Sequence, residues 1–116
     1  MHNQSKQSRG RNKAEKEFHS WLSGQPCIVC GNEPVIIDHI FGSSKKVYVG
    51  IVRVPIGHWA CLPLCPVCDS VKTQNSRRVF KEKCGCPIEH WLTIPYDFPP
   101  LVFQAMRGLE AGAHNW

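Results

Sequence analysis

Residues 27–69 read CIVCGNEPVIIDHIFGSSKKVYVGIVRVPIGHWACLPLCPVCD, and this stretch decides the fold. Two Cys-x-x-Cys pairs, Cys27 with Cys30 and Cys65 with Cys68, lie at its ends. Each such turn directs two thiolates at one point, and two turns complete a tetrahedron around zinc. A redox motif or four buried cysteines are the alternatives, and the double pairing favours a closed structural Zn²⁺ site. Such a site supplies folding free energy that a small core lacks.

Three further cysteines, Cys61, Cys84 and Cys86, are not explained by these pairs. They could form part of a second metal site with His58 or His90, or they could be small buried side chains. Two cysteines at the Cys84-x-Cys86 spacing chelate a metal less well than a Cys-x-x-Cys pair, which favours the interpretation as small buried side chains. The total of seven cysteines is odd, which argues against a fully paired disulfide set.

Two β-prone runs lie between the cysteine pairs, at residues 35–41 and 47–54. The second run contains Gly50 and predicts either a hairpin or one bent strand. The first run contains Asp38 and His39. Consecutive strand side chains point to opposite faces, so these two can serve one site only where the strand twists or ends. A Gly-Ser-Ser break follows directly and provides that end.

A helix is predicted over residues 66–83, beginning within the second cysteine pair. On this helix Asp69, Lys72 and Ser76 would share one face. The zinc ligands fix the position of that face, so the helix should lie beside the strand that carries Asp38.

The residue types on this strand and helix match a phosphodiester-hydrolysing site. Asp38 and Asp69 offer the hard oxygen ligands that suit Mg²⁺, Mn²⁺ or another divalent ion. His39 can accept a proton from water near pH 7. The Lys72 ammonium can stabilise the charge that develops on a phosphate.

The segments CIVC, IIDHI and LPLCPVCDSVKT together resemble the HNH endonuclease family, also called ββα-metal or His-Me finger nucleases. The resemblance covers about residues 27–80. It implies two antiparallel strands and a helix around a divalent ion, with Asp38 and Asp69 as metal ligands. It also implies that His39 is the general base and that Lys72 lies near the phosphate.

This chain departs from the family pattern at two positions. Asp69 stands where the family usually has His or Asn, which adds negative charge to the site. Ala60 and Cys61 fall where the middle Asn of the motif is expected, and His58 is the nearest polar candidate. The stretch 45–57 is also longer than in the minimal motif.

The flanking segments complete the predicted organisation. Residues 1–12, with Lys6, Arg9 and Arg11, are interpreted as a disordered basic arm. Residues 13–116 are predicted to form a single domain, with its core at about 27–83. The fold class is predicted as α+β, a small zinc-stapled HNH core with an N-terminal helix, a β insertion and a C-terminal wrapped or helical segment.

The composition of the chain indicates which kind of partner and which cellular compartment to expect. The chain has 116 residues, a net charge of +5 and a pI of about 8.9, which suit a polyanionic partner. No apolar run is long enough to span a membrane and no secretory signal is recognisable, so a cytoplasmic protein without a membrane partner is expected. If the chain is phage-encoded, this is the host cytoplasm, where reduced thiols favour metal binding.

The predicted function is that of a metal-dependent DNA endonuclease or nickase, in phage DNA recombination or processing and with a recombination protein as a further partner. Small phage and prophage nucleases linked to recombination resemble the chain in size and in its basic arm. The alternatives are a non-catalytic zinc module that binds nucleic acid and a zinc-stapled protein-interaction module, which the positive charge disfavours. The residues expected to contact DNA are Lys45, Lys46, Arg53, Arg77 and Arg78.

Overall fold

Within the described residues one helix precedes four short strands, and four helices follow the strands. The structure is a computed structural model, and it describes residues 10–112. In order, the elements are α1 (Lys13–Leu22), β1 (Ile36–His39), β2 (Lys46–Val49), β3 (Val52–Pro55), β4 (Cys61–Leu64), α2 (Pro66–Gln74), α3 (Arg77–Cys84), α4 (Pro87–Leu92) and α5 (Pro100–Ala111). Over the described range the fold is α+β, as predicted, with two antiparallel two-stranded sheets, β1–β4 and β2–β3.

Helix α1 begins where its sequence predicts. The Asn12 side chain accepts a hydrogen bond from the Glu15 backbone N–H, and the Glu15 carboxylate accepts one from the Asn12 N–H. This capping box satisfies two N–H groups that the first turn would otherwise leave unpaired. Phe18 and Leu22 are fully buried, so one face of α1 packs against the core.

The segment between β1 and β4 is a hairpin rather than one bent strand. Strands β2 and β3 pair antiparallel around the loop Gly50–Ile51, and Gly50 has a φ of 62°. A two-residue hairpin loop favours glycine at such a position because it has no Cβ. The carbonyl of Lys45 accepts hydrogen bonds from the N–H groups of Ile56 and Gly57, which closes the base of the insertion.

The helix predicted over residues 66–83 is in fact two helices. Asn75 is extended, with a φ of −131°, and its side chain donates to the Val71 carbonyl. The Ser76 hydroxyl accepts from the Val79 N–H and begins α3. Side chains of Asn and Ser compete with the helical hydrogen-bond pattern and favour caps. The prediction that Ser76 shares a helix face with Asp69 and Lys72 is therefore wrong.

The core joins α1 to the C-terminal segment through aromatic side chains. The Phe18 ring lies 4.8 Å from that of Tyr96 and 5.0 Å from that of Phe98, measured between centroids. The indole N–H of Trp91 donates to the Trp59 carbonyl at 2.7 Å. The predicted wrapped segment and last helix are confirmed, because residues 87–111 pack on the core and α5 begins at Pro100.

Two predictions fall wholly or partly outside the described range. The disordered basic arm belongs mostly to residues 1–9, which the structure does not describe, whereas Arg11 and Asn12 contact α1. No helix within residues 10–112 is long and apolar enough to cross a membrane.

Candidate metal and hydrolytic site

Four cysteines, from the loop before β1 and the start of α2, converge on one point, as the spacing predicts. The sulfur of Cys30 lies 3.5 Å from that of Cys65 and 3.8 Å from that of Cys68. A tetrahedron with Zn–S bonds of about 2.3 Å has edges of about 3.8 Å. The group, which includes Cys27, therefore has the dimensions of a closed metal site.

The loop that carries the first pair is held against β4. The Ile28 N–H donates to the Pro63 carbonyl at 2.9 Å, and the Gly31 N–H donates to the Cys27 carbonyl at 2.9 Å. Burial opposes ionisation of the Cys27 thiol, but backbone N–H groups, first that of Cys65, lower its pKa to about 6. A thiol of low pKa is readily available as the thiolate that a metal requires.

The remaining cysteines do not assemble into one second site. Cys61 lies in β4, with its sulfur 3.4 Å from Nε2 of His19. Cys84 interacts with the Cys68 thiol, and Cys86 is buried at the start of α4. A shared site for all three cysteines is therefore not formed. Neither Cys84 nor Cys86 belongs to a potential metal-binding group among the described residues.

Asp38 and Lys72 form an ion pair between β1 and α2. Lys72 Nζ lies 3.3 Å from Oδ2 of Asp38, whose side chain is only 9% exposed. This Oδ2 is itself buried, and the Lys72 ammonium also hydrogen-bonds the carboxyl group. Burial raises the pKa of Asp38, the Lys72 charge lowers it, and the Asp69 carboxylate raises it again. Asp38 and Lys72 are thus adjacent in the fold, as predicted, and the charge of Asp69 acts on Asp38.

His39 contacts different elements from Asp38, because the two side chains are consecutive in β1. Its Nε2 lies 3.2 Å from Nδ1 of His58, in the loop before β4. Burial lowers the pKa of His39, and the neighbouring charges of His58 and His19 lower it further. The polar candidate for the middle of the motif, His58, is thus brought to the candidate base, although its role stays a prediction.

His19 of α1 is a neighbour of this site that the sequence interpretation missed. Its Nε2 lies 2.6 Å from the His58 carbonyl oxygen, and its Nδ1 accepts from Arg11 at 3.1 Å. His19 is 3% exposed and lies in the buried stripe of α1 with Phe18 and Leu22. A histidine within an apolar stripe at helical spacing is the signal that could have found it.

The position of His58 depends on a close backbone approach at Gly57. A Cβ at residue 57 would lie 2.1 Å from the Ser43 carbonyl oxygen. Only glycine therefore allows the loop after β1 to pack against the loop that carries His58.

The residues predicted to contact DNA lie on two surfaces. Lys46 and Arg53 are exposed on the hairpin, and Lys45 is half-buried with its ammonium 5.5 Å from the Phe41 ring centroid. Arg53 is the cross-strand partner of Tyr48, whose side chain is 68% exposed. The other two predicted contacts, Arg77 and Arg78, are exposed at the start of α3.

An open apolar cavity of about 180 Å³ lies beside α1, away from these side chains. Its walls include Trp21, Ile28 and Ile94, and none of the predicted hydrolytic residues lines it. The predicted hydrolytic residues Asp38 and Lys72 lie instead at the β1–α2 junction, outside this cavity.

Comparison with known proteins gave no relative: no family model, curated protein or solved structure matches this chain.

Proposed function

We propose that this protein is a metal-dependent DNA endonuclease or nickase of the HNH kind. The observation that carries the proposal is the buried Asp38 carboxylate, 3.3 Å from the Lys72 ammonium and next in sequence to His39. An acidic ligand, a cation and an imidazole are the groups that metal-assisted hydrolysis of a phosphodiester requires.

The order of the surrounding elements supports the proposal. The antiparallel pair β1–β4 is followed directly by α2, and the four cysteines link the loop before β1 to the start of α2. This is the strand–strand–helix order that the HNH resemblance implies. We assign the four-cysteine group to structural Zn²⁺, because four thiolates leave no open position for a substrate.

The residues at the junction fit a catalytic divalent ion. The Asp38 Oδ2 atom is buried with Lys72 Nζ 3.3 Å away, and the Asp69 carboxylate raises the pKa of Asp38. Two carboxylates of this kind would hold Mg²⁺ or Mn²⁺. Bound there, the ion would polarise the scissile phosphate as a Lewis acid.

The other roles in hydrolysis would belong to side chains of the protein. His39 would accept a proton from the attacking water through Nδ1, because its Nε2 is engaged with His58. Its lowered pKa keeps the ring neutral, and therefore able to accept a proton, at pH 7. Lys72 would stabilise the negative charge on the phosphate, and His58 is a positioning residue for the His39 ring.

Exposed basic side chains would hold the DNA backbone on both sides of the junction. The hairpin presents Lys46 and Arg53, and α3 presents Arg77 and Arg78. Phosphate contacts of this type orient the duplex without selecting a sequence. A recombination protein would be the partner that directs such an enzyme to its substrate.

The alternative is a non-catalytic zinc module that binds nucleic acid. The Asp38–Lys72 ion pair favours it, because the Lys72 ammonium itself neutralises this carboxylate. Ala60 also offers no side-chain donor where the HNH motif has its middle Asn.

The deciding experiment compares plasmid nicking by wild-type protein, His39→Ala and His90→Ala. His90 is the matched control, because it lies in α4 and contacts the Cys84 carbonyl. With Mg²⁺ or Mn²⁺, His39→Ala should lose about 10²–10⁴-fold in rate while the zinc of the four-cysteine group and DNA binding persist. His90→Ala should cut like the wild type. Cutting by His39→Ala at the wild-type rate would refute the assignment, and a wild type that binds but never cuts would favour the alternative.

A further inference from the structure

A second group of soft ligands lies on the β1–β4 sheet, distinct from the four cysteines. His39 and Cys61 are directly opposite each other in the antiparallel pair, so their side chains share one face. His19 approaches that face from α1. One ligand atom from each of the three lies within 4.8 Å of the others.

The dimensions and setting of this group suit a metal ion. The sulfur of Cys61 is 3.4 Å from Nε2 of His19. A tetrahedral zinc with Zn–N of about 2.0 Å and Zn–S of about 2.3 Å separates these two atoms by about 3.5 Å. Cys61 is fully buried and His19 nearly so, while His39 is only half-buried.

We propose that His19, His39 and Cys61 form a second transition-metal site, with Zn²⁺ as its ion. Two imidazoles and one thiolate are ligands that zinc prefers over magnesium, so this site would not compete for the divalent ion at Asp38. Three protein ligands leave a fourth position for water, unlike the closed four-cysteine group.

Metal binding requires a defined exchange of protons. Arg11 can only donate, so its contact with Nδ1 of His19 places the ring proton on Nε2, which donates to the His58 carbonyl. On binding, Arg11 withdraws and this proton moves to Nδ1, which frees the Nε2 lone pair. The Cys61 thiol releases its own proton to solvent and binds as thiolate.

Occupancy would also regulate hydrolysis, a consequence that rests on the proposed function. Whichever nitrogen of His39 binds the metal, the other nitrogen must carry the ring proton. The ring then has no lone pair for water, so excess Zn²⁺ should inhibit cutting.

The first test is zinc stoichiometry of the folded chain after equilibrium dialysis against Zn²⁺. Wild-type protein should hold two ions, one for each ligand group. Cys61→Ser should hold one, because a serine hydroxyl is a poor zinc ligand. Cys86→Ser is the matched control, since Cys86 is also buried but belongs to neither group, and it should hold two.

A second variant keeps the proposal falsifiable if Cys61→Ser does not fold. His19→Gln should then show the same loss of one ion. Arg11→Ala should bind the second zinc more tightly, because the competing donor at His19 is gone. One ion in the wild type, or two ions in both Cys61→Ser and His19→Gln, would overturn the proposal. These readouts need no nuclease activity, so they fail or succeed independently of the proposed function.

Discussion

Replacement of Lys72 by methionine should destabilise the protein at neutral pH, because the Asp38 carboxylate would stay buried without its cation. At 3.3 Å the attraction is about 5 kcal/mol at an effective dielectric constant of about 20, and about 1.3 kcal/mol in water. The Lys72 side chain is 19% exposed, so solvent screens part of this attraction. We therefore expect the free energy of unfolding to fall by about 1–3 kcal/mol, less than for a fully buried pair.

The stability lost on Lys72→Met should depend on pH in a defined direction. Burial raises the pKa of Asp38 and Lys72 opposes that rise, so Lys72→Met raises the pKa further. A carboxyl with a raised pKa in the folded state favours folding when protonated, and that contribution is lost as pH rises through the folded pKa. The effect of Lys72→Met should thus be largest at neutral pH and should shrink as pH falls through the folded pKa of Asp38.

Urea unfolding of the zinc-loaded protein at several pH values measures both effects. Lys16→Met, on the exposed side of α1, is the control and should unfold like the wild type. The double variant Asp38→Asn/Lys72→Met should recover most of the lost stability, because no charge remains to be compensated. Equal stability of wild type and Lys72→Met at neutral pH, or no recovery in the double variant, would refute this reasoning.

Three further perturbations have expected outcomes of their own. Cys65→Ala should lose the zinc of the four-cysteine group and lower the unfolding temperature, as shown by metal analysis and calorimetry; an unchanged zinc content would exclude Cys65 as a ligand. Alanine at Lys45, Lys46 and Arg53 together should weaken DNA binding and flatten its dependence on salt, and an unchanged salt slope in a titration would assign the hairpin a scaffold role only. Gly57→Ala should reduce the rate of plasmid nicking more than DNA affinity, because the added Cβ would meet the Ser43 carbonyl and displace His58; equal losses in both would point to general unfolding.

The features that the sequence predicted correctly depend on interactions between residues that are close in sequence. The convergence of the cysteine pairs follows from the chelating geometry of two short turns, and the Asn12 cap follows from its own side chain. The break at Asn75 was missed because residues 66–83 keep a helical apolar pattern, while two side chains compete with the backbone. His19 was missed because its partner, His58, is distant in sequence and is brought near only by tertiary packing.

Because the base of the β2–β3 hairpin is closed by hydrogen bonds, the length of its turn does not affect the positions of Asp38 and His39. Both ends of the insertion meet at the Lys45 carbonyl, so strands β1 and β4 are joined there whatever the chain does beyond that point. Each doubling of a flexible loop costs only about 0.6 kcal/mol in closure entropy. The turn of the hairpin, where Ile51 is 96% exposed, can therefore be extended without moving Asp38 or His39, whereas Val54 near its base packs in the core.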